Sequence, residues 1–316
     1  MSPTKTLPDQ KIAEEVLQAF RDLQGAHPSF RPAHAKGILL AGRFTPSPQA
    51  ASLTRAPHVR NASTPVTVRF SDTTGIPTIP DTDPNASPRG MAIRFHLAEH
   101  VHTDIIAHSV NDFPAHTVEE FIELLHAIRA SGPDVAHPTP IDVFLGTHPA
   151  ALRYVQTPKP VPVSFFKESY YALNALRFVN GDGAARFGRF RIHPAGSNQY
   201  LDPAAVAQQT PNFLFDGIST TLEKGAVNMR IAVQVAADGD IVDDATAQWP
   251  ADRPEVDFGT LELGSVLPNQ GPEQQRIIFD PIPRVDGIEA SDDPLLEPRA
   301  QVYLVSGRRR RAEHAS

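Results

Sequence analysis

Arg299 and Tyr303 stand four residues apart near the end of this 316-residue chain. On a helix that spacing puts both on one face, where the guanidinium can reach the phenol oxygen. A neighbouring cation favours the ionised phenol. Phenolate is a hard oxygen ligand suited to ferric iron, and tyrosine serves as an axial haem ligand. The same spacing also describes an ordinary surface pair. Arg310 follows seven residues later along roughly the same face. A second group lies far away, in "FRPAHAKG", where Arg31 has no acidic neighbour and His34 sits in a Pro-flanked stretch. Such a histidine can be a general base, a ligand or a structural residue. Lys36-Gly37 resembles the end of a phosphate loop, but the upstream glycines of that motif are missing. A third group, Arg308–Arg311, reads as an anion-binding patch, as a solvated tail, or as a run with one member turned inward to hold a carboxylate. His96, His100, His102 and His108 offer a mononuclear zinc or iron site on a strand, though no matching carboxylate spacing accompanies them.

Composition narrows these options. The chain has no cysteine, which excludes disulfides, thiolate catalysis, zinc-thiolate sites and iron–sulfur clusters. Any metal or cofactor is left with oxygen and nitrogen ligands. A formal net charge of −7 disfavours a general nucleic-acid-binding surface. With 41% hydrophobic and 21% charged residues, the composition is that of a globular protein. No apolar stretch approaches membrane-spanning length, and the N-terminus lacks the pattern of a secretory signal. The expected location is the cytoplasm, or the periplasm if a leader has been removed.

These residues need elements to hold them. Ile12, Val16, Leu17 and Phe20 repeat at helical spacing over Asp9–Leu23. Short β-rich runs follow at "GILLAGRF", "VTVRFS", "MAIRFH" and "TDIIAHS", with a Pro/Asp/Thr-rich loop between Asp72 and Gly90. Within "VTVRFS", Val66, Val68 and Phe70 point one way and Thr67, Arg69 and Ser71 the other. That alternation suits a barrel with a partly polar lumen, or a strand with one face in solvent. "TVEEFIELLHAIRASG" opens on Thr-x-x-Glu, a capping box, and predicts a helix. Helical readings continue through "PIDVFLGTHPAALRYVQT" and "FFKESYYALNALRF". Strands return at "ARFGRFRIHP" and "NMRIAVQVA", and a helical pattern closes the chain. The order fits an α+β protein built on a central antiparallel sheet or barrel.

Taken together and in order, these segments resemble the haem catalases, most closely the short catalase-related peroxidases. "RPAHAKG" looks like the segment of the distal histidine, "VTVRFSDTTG" like the next strand, and "DPNASPRGMAIRF" like a further family stretch. "FDPIPRVDGIEASDDPLLEPRAQVY" looks like the approach to the proximal tyrosine. The resemblance implies an antiparallel β-barrel core with flanking helices, lacking the C-terminal helical region of full-length catalases. It implies a division of residues 1–316, taken as one domain. Residues 1–25 would be an N-terminal helix or arm, 26–115 and 186–236 mainly barrel strands, and 117–180 a helical insertion. Residues 237–297 would be a wrapping loop and 298–311 the proximal helix.

The resemblance also implies roles. His34 matches the distal base and Ser71 the hydroxyl that orients it. Arg31, Arg69 and Arg310 match guanidiniums that pair with haem propionates. Tyr303 matches the axial iron ligand, Arg299 its cationic partner, and Phe113 and Phe121 aromatics near the haem face. Two positions depart from the family pattern. The distal asparagine is replaced by His108 in an ungapped alignment, with Asn111 three residues later as the other candidate, and the distal valine position reads Thr73. The implied cofactor is haem b. The implied activity is reduction of peroxide by a small organic reductant, with weak catalase activity, no nucleic-acid or membrane partner, and a homodimer as the largest assembly. Two alternatives share the scaffold: rearrangement of hydroperoxides in the manner of an allene oxide synthase, and a non-enzymatic haem-binding barrel.

Overall fold

Val66, Val68 and Phe70 on strand β2 (Thr64–Ser71) are fully or almost fully buried and point into one large apolar core. The alternate residues Arg69 and Ser71 face the other way and are also buried, at 3% and 4% exposure, so at this end of the strand neither face is in solvent, although Pro65 at its start is exposed. The architecture explains how. The computed structural model describes residues 8–315, with side chains described for residues 10–313. In chain order it comprises α1 (Pro8–Gln24), β1 (Gly37–Pro46), α2 (Ala50–Leu53), α3 (Pro57–Arg60), β2, β3 (Gly90–Ala98) and β4 (Val101–His108). Next come α4 (Val118–Arg129), α5 (Pro140–Thr147), α6 (Pro149–Gln156), β5 (Tyr170–Tyr171), β6 (Leu176–Val179) and β7 (Ala185–Pro194). The last part holds α7 (Pro203–Val206), α8 (Phe213–Leu222), β8 (Val227–Val235), β9 (Glu255–Val266), α9 (Gln270–Arg276), β10 (Ile288–Ala290) and α10 (Leu296–Ala315).

The strands run β10-β6-β7-β5-β4-β3-β2-β1-β9-β8, all antiparallel, and β8 pairs back onto β7. That pairing closes eight strands into a barrel and leaves β6 and β10 as a flap along β7. Closure removes the exposed edges that would otherwise invite pairing with another chain. The lumen is filled with apolar side chains, among them Phe44, Phe95, Phe178, Phe190 and Phe258, several of them in edge-to-face pairs. A partly polar lumen is therefore not what the alternation in β2 meant: its polar side is the outside of the barrel, roofed by helices.

The roof is made of α1, α4 and α10. Ala13, Val16 and Leu17 pack with Val118, Ile122, Val302 and Val305. Each helix turns its apolar stripe inward, as amphipathic spacing requires. Thr117 caps α4 by accepting from Glu120 N at 3.2 Å; Glu120 reaches back one residue further than a capping box does, accepting from His116 N at 2.8 Å.

Three segments differ from the sequence reading. Residues 165–178, read as helix, form a 3-10 turn at Phe165–Lys167 and then β5 and β6. Short buried runs have no periodicity long enough to separate the two states. The stretch 237–297, read as a wrapping loop, contains the twelve-residue strand β9. Its alternation is broken at a bulge beside Gly259, whose φ is +151°, so Phe258 and Leu261 both reach the core at an uneven spacing. Helix α8 lies within the stretch read mainly as strands.

Candidate active site

The register of the outer face builds one wall of a cavity. Gly37 pairs with Ser71, Ser71 with Gly90, and Gly90 with His108, a row across β1 to β4. Two residues along, Leu39, Arg69, Ala92 and Ile106 form the next row. Side chains of both rows share a face, because alternate residues of a strand do. The helical roof supplies the opposite wall through Val16, Phe20, Phe121, Val302 and Tyr303. Between them lies an empty volume of about 1470 Å³, counted to its open mouth.

His34 enters from the turn before β1. Its backbone is left-handed, with φ +56°, and its amide donates to Thr73 O at 2.9 Å. A non-glycine residue in that conformation costs about 1 kcal/mol, and such strain persists only where surrounding structure imposes it. Here a buried ion-pair network does so. Lys36 Nζ lies 2.5 Å from Asp81 Oδ1, and Arg89 pairs with Asp72. Lys36 is thus spent on tying the Asp72–Asp81 loop to the start of β1. His34 Nδ1 is hydrogen bonded to Ser71 Oγ at 3.0 Å, which leaves Nε2 for a substrate. Burial, and then the charges of Arg69, Arg31 and Arg299, push the His34 pKa down to about 3, so the ring is a neutral base.

Gly90 makes this arrangement possible. A Cβ there would lie 2.5 Å from Ser71 Oγ and 2.6 Å from His34 Nδ1. The Gly90→Val protein is therefore expected to lose about 1–3 kcal/mol of stability by overpacking. With His34 displaced, its rate with peroxide should fall about 10²-fold, the cost of roughly 1 Å of misplacement. Chemical denaturation and stopped-flow kinetics read the two effects.

His108 lines the cavity beside His34, and both of its ring nitrogens are buried without a hydrogen-bond partner. Burial, followed by the nearby His34, Arg299 and Lys159, pushes its pKa down to about 3. Asn111, the other candidate for this position, is not part of the lining; its carbonyl accepts from Gln248 at 3.3 Å. Thr73 contributes a carbonyl to His34 but no side chain to the cavity. Phe113 and Phe121 stack at 5.8 Å along one side.

On α10, Arg299, Tyr303, Ser306 and Arg310 share one face and all line the cavity. Arg299 Nη2 lies 3.4 Å from Tyr303 Oη, and its Nη1 donates to Asn174 Oδ1. Asn174 in turn donates to Asp293 Oδ2 at 2.8 Å, and Asp293 Oδ1 accepts from Leu295 N at 2.9 Å just ahead of the helix. This chain fixes the guanidinium against the phenol.

At one end of the cavity three guanidiniums converge, those of Arg69 and Arg310 buried and that of Arg31 half-buried. Arg31 and Arg69 both donate to Gln274 Oε1, at 3.3 and 2.7 Å, and Arg31 and Arg310 both donate to Ile277 O at 3.1 Å. None of the three makes a salt bridge among the described residues. Burial lowers the pKa of Arg69 to about 9 and of Arg310 to about 10, and that of Arg31 well below its ordinary value; Arg69 and Arg310 lower Arg31 further. Burying a charge without a counter-ion costs several kcal/mol. Such a cluster is built for an anionic ligand. Gly37 gives Arg69 its room, since a Cβ there would lie 2.2 Å from Arg69 Nη2.

The sequence-predicted residues His34, Ser71, His108, Arg31, Arg69, Phe113, Phe121, Arg299, Tyr303 and Arg310 thus line one cavity, and Asn111 does not. Sequence reasoning missed Asn174, Asp293 and Gln274. Of the arginine run, Arg310 turns inward, while Arg309 pairs with Glu14 and Arg311 donates to Arg276 O. The four histidines at 96–108 do not converge: no group of three metal-ligating side chains occurs among the described residues.

The family model for catalase matches residues 10–315. This chain belongs to the catalase family. As a catalase-family chain it is similar to the "Catalase-related peroxidase" of Mycolicibacterium paratuberculosis, 34% identical over 302 residues covering 93% of each chain. It is likewise similar to that of Synechococcus elongatus, 30% identical over 298 residues covering 93% of this chain and 87% of the other. "Catalase-2" of Bacillus subtilis is 28% identical over 296 residues, but these are 42% of its length. A fungal catalase crystal structure superposes with a TM-score of 0.79 at 20% identity, over 93% of this chain and 62% of the other, a likeness of fold. No helix among the described residues of this catalase-family chain is long and apolar enough to cross a membrane.

Proposed function

We propose that this catalase-family chain is a haem-dependent peroxidase, which reduces hydrogen peroxide or an organic hydroperoxide with a small organic reductant. One observation carries the reading: a single cavity joins the His34–Ser71 pair, the Tyr303–Arg299 pair and three guanidiniums without a facing carboxylate. The residues fit haem b: Arg31, Arg69 and Arg310 would hold its two propionates, and Tyr303 Oη would hold its iron. When bound, that group would store the two oxidising equivalents that peroxide supplies and pass them to the reductant.

The chain's own residues handle position and protons. His34 Nε2 takes the proton from one oxygen of peroxide and returns it to the other, which leaves as water. Ser71 holds the ring for both transfers. Arg299 sets its guanidinium 3.4 Å from the Tyr303 phenol oxygen, so a positive charge faces the atom that would bind the cofactor. Asn174 and Asp293 hold Arg299 in place. His108 offers a neutral imidazole to the substrate oxygen, where the family resemblance expects an asparagine.

The altered position at His108 favours an external reductant over a second peroxide. The haem-loaded protein is expected to oxidise close to two equivalents of a one-electron phenolic donor per peroxide and to evolve little oxygen. Simultaneous oxygen-electrode and absorbance traces measure both. Oxygen evolution at half a mole per mole of peroxide, indifferent to donor, would make it a catalase instead. Turnover of a fatty-acid hydroperoxide that needs no donor would make it a rearranging enzyme.

A further inference from the structure

A second cavity opens beside the first, with an empty volume of about 830 Å³ counted to its mouth. The two share Phe20, Arg31, Pro32, Ser306 and Arg310, so these side chains stand between the second cavity and the guanidinium end of the active site. Its outer walls have two characters. Leu17, Pro28 and Phe30 are apolar, and Phe30 is 48% exposed although it belongs to a structured turn. Arg21, at the end of α1, makes no salt bridge or side-chain hydrogen bond among the described residues. Arg309 is balanced by Glu14.

The charges do not cancel. Arg21, Arg31, Arg69 and Arg310 are four cations. Against them stand the two propionates of the proposed cofactor and Glu313, which accepts from Ser29 N. One positive charge is left over, beside an exposed aromatic ring. That pairing suits a flat anion, held by its face on Phe30 and by its charge on the guanidiniums.

We propose that this second cavity is the reductant site and that its ligand is a small phenol bearing a carboxylate. The proposal rests on the peroxidase reading and adds where the reductant binds and of what class it is. Each of two phenols gives up one electron and its phenolic proton; hydrogen peroxide takes both and becomes two waters, leaving two phenoxyl radicals. Electrons then enter at the guanidinium edge, and the His34 side stays free for peroxide. Peroxide meets His34 and His108 in the first cavity, and the donor meets Arg21 and Phe30 in the second.

The test compares 4-hydroxybenzoate with phenol as donors of the haem-loaded protein, and titrates the same protein with benzoate, which is not a donor. Arg21→Glu is expected to raise the KM for 4-hydroxybenzoate and the Kd for benzoate about fivefold, the scale of a partly exposed charge pair, while the KM for phenol stays in place. Added salt should raise the 4-hydroxybenzoate KM in the unaltered protein. Phe30→Ala should raise both donor KM values. Arg186→Glu, on the far β7 strand, should change none of them. Equal responses of charged and neutral donors to Arg21→Glu, or a benzoate Kd that ignores both Arg21→Glu and Phe30→Ala, would overturn the proposal. If no donor is oxidised at all, the peroxidase reading fails, and the benzoate titration still decides whether the cavity binds an aromatic anion.

Discussion

Tyr303→Phe protein should purify with little haem, and should bind added haem at least about 10²-fold more weakly, since even groups one step removed from a metal cost 10- to 100-fold when lost. The substitution removes one oxygen and leaves the ring. Tyr303 packs at the edge of the cluster formed by α1, α4 and α10, so that packing survives. Circular dichroism of the apoprotein should therefore match the unaltered chain, while the optical spectrum of any bound haem changes. Arg299→Leu should weaken binding in the same direction by about 10- to 100-fold, because the guanidinium that faces Tyr303 Oη is then lost. If Tyr303→Phe retains haem with an unchanged spectrum, the iron ligand is a different residue.

The second large effect is on rate. His34→Ala should leave haem binding intact and slow the reaction with peroxide by about 10²–10⁴-fold, the usual worth of a positioned proton carrier. The pH dependence follows from the environment of the ring. Burial and three neighbouring guanidiniums hold the His34 pKa near 3, so the basic, neutral form predominates at every higher pH. Protonation removes the base as pH falls, so the sign is a loss on the acid side. The rate constant for peroxide should be level through neutral pH and decline only toward pH 3. A rate that halves near the ordinary imidazole pKa of about 6.5 would mean that His34 is in contact with solvent or is not the base.

Much of the site was legible in the sequence because its chemistry is carried by residue types that are costly to place without purpose. An i, i+4 Arg–Tyr pair on a terminal helix and a histidine beside an arginine with no acidic neighbour both invite a cofactor, and the family resemblance implied their roles. The direction of Arg69 was not legible. Alternation says that Arg69 and Ser71 share a face, but whether that face is lumen, solvent or a roofed cavity depends on α1, α4 and α10, far away in the chain. Asn174 and Gln274 were missed for a related reason. Their partners lie 125 residues away at Arg299 and 205 residues away at Arg69, and amides in loops and short helices carry no local signal. Which of His108 and Asn111 lines the cavity depends on the strand register: His108 pairs with Gly90 and so faces the same way as Ser71, while Asn111 lies beyond the end of β4. Strand β9 was lost to its own bulge, which shifts the alternation by one residue midway.

The central claim is that one tetrapyrrole occupies the cavity between His34 and Tyr303. Titrating the purified protein with haem while recording the visible spectrum tests it most directly. The expected result is saturation at one equivalent, with a spectrum of phenolate-ligated ferric iron that is lost in Tyr303→Phe and kept in His34→Ala. No saturable binding, or a spectrum of imidazole-ligated iron that disappears with His34 or His108, would contradict it.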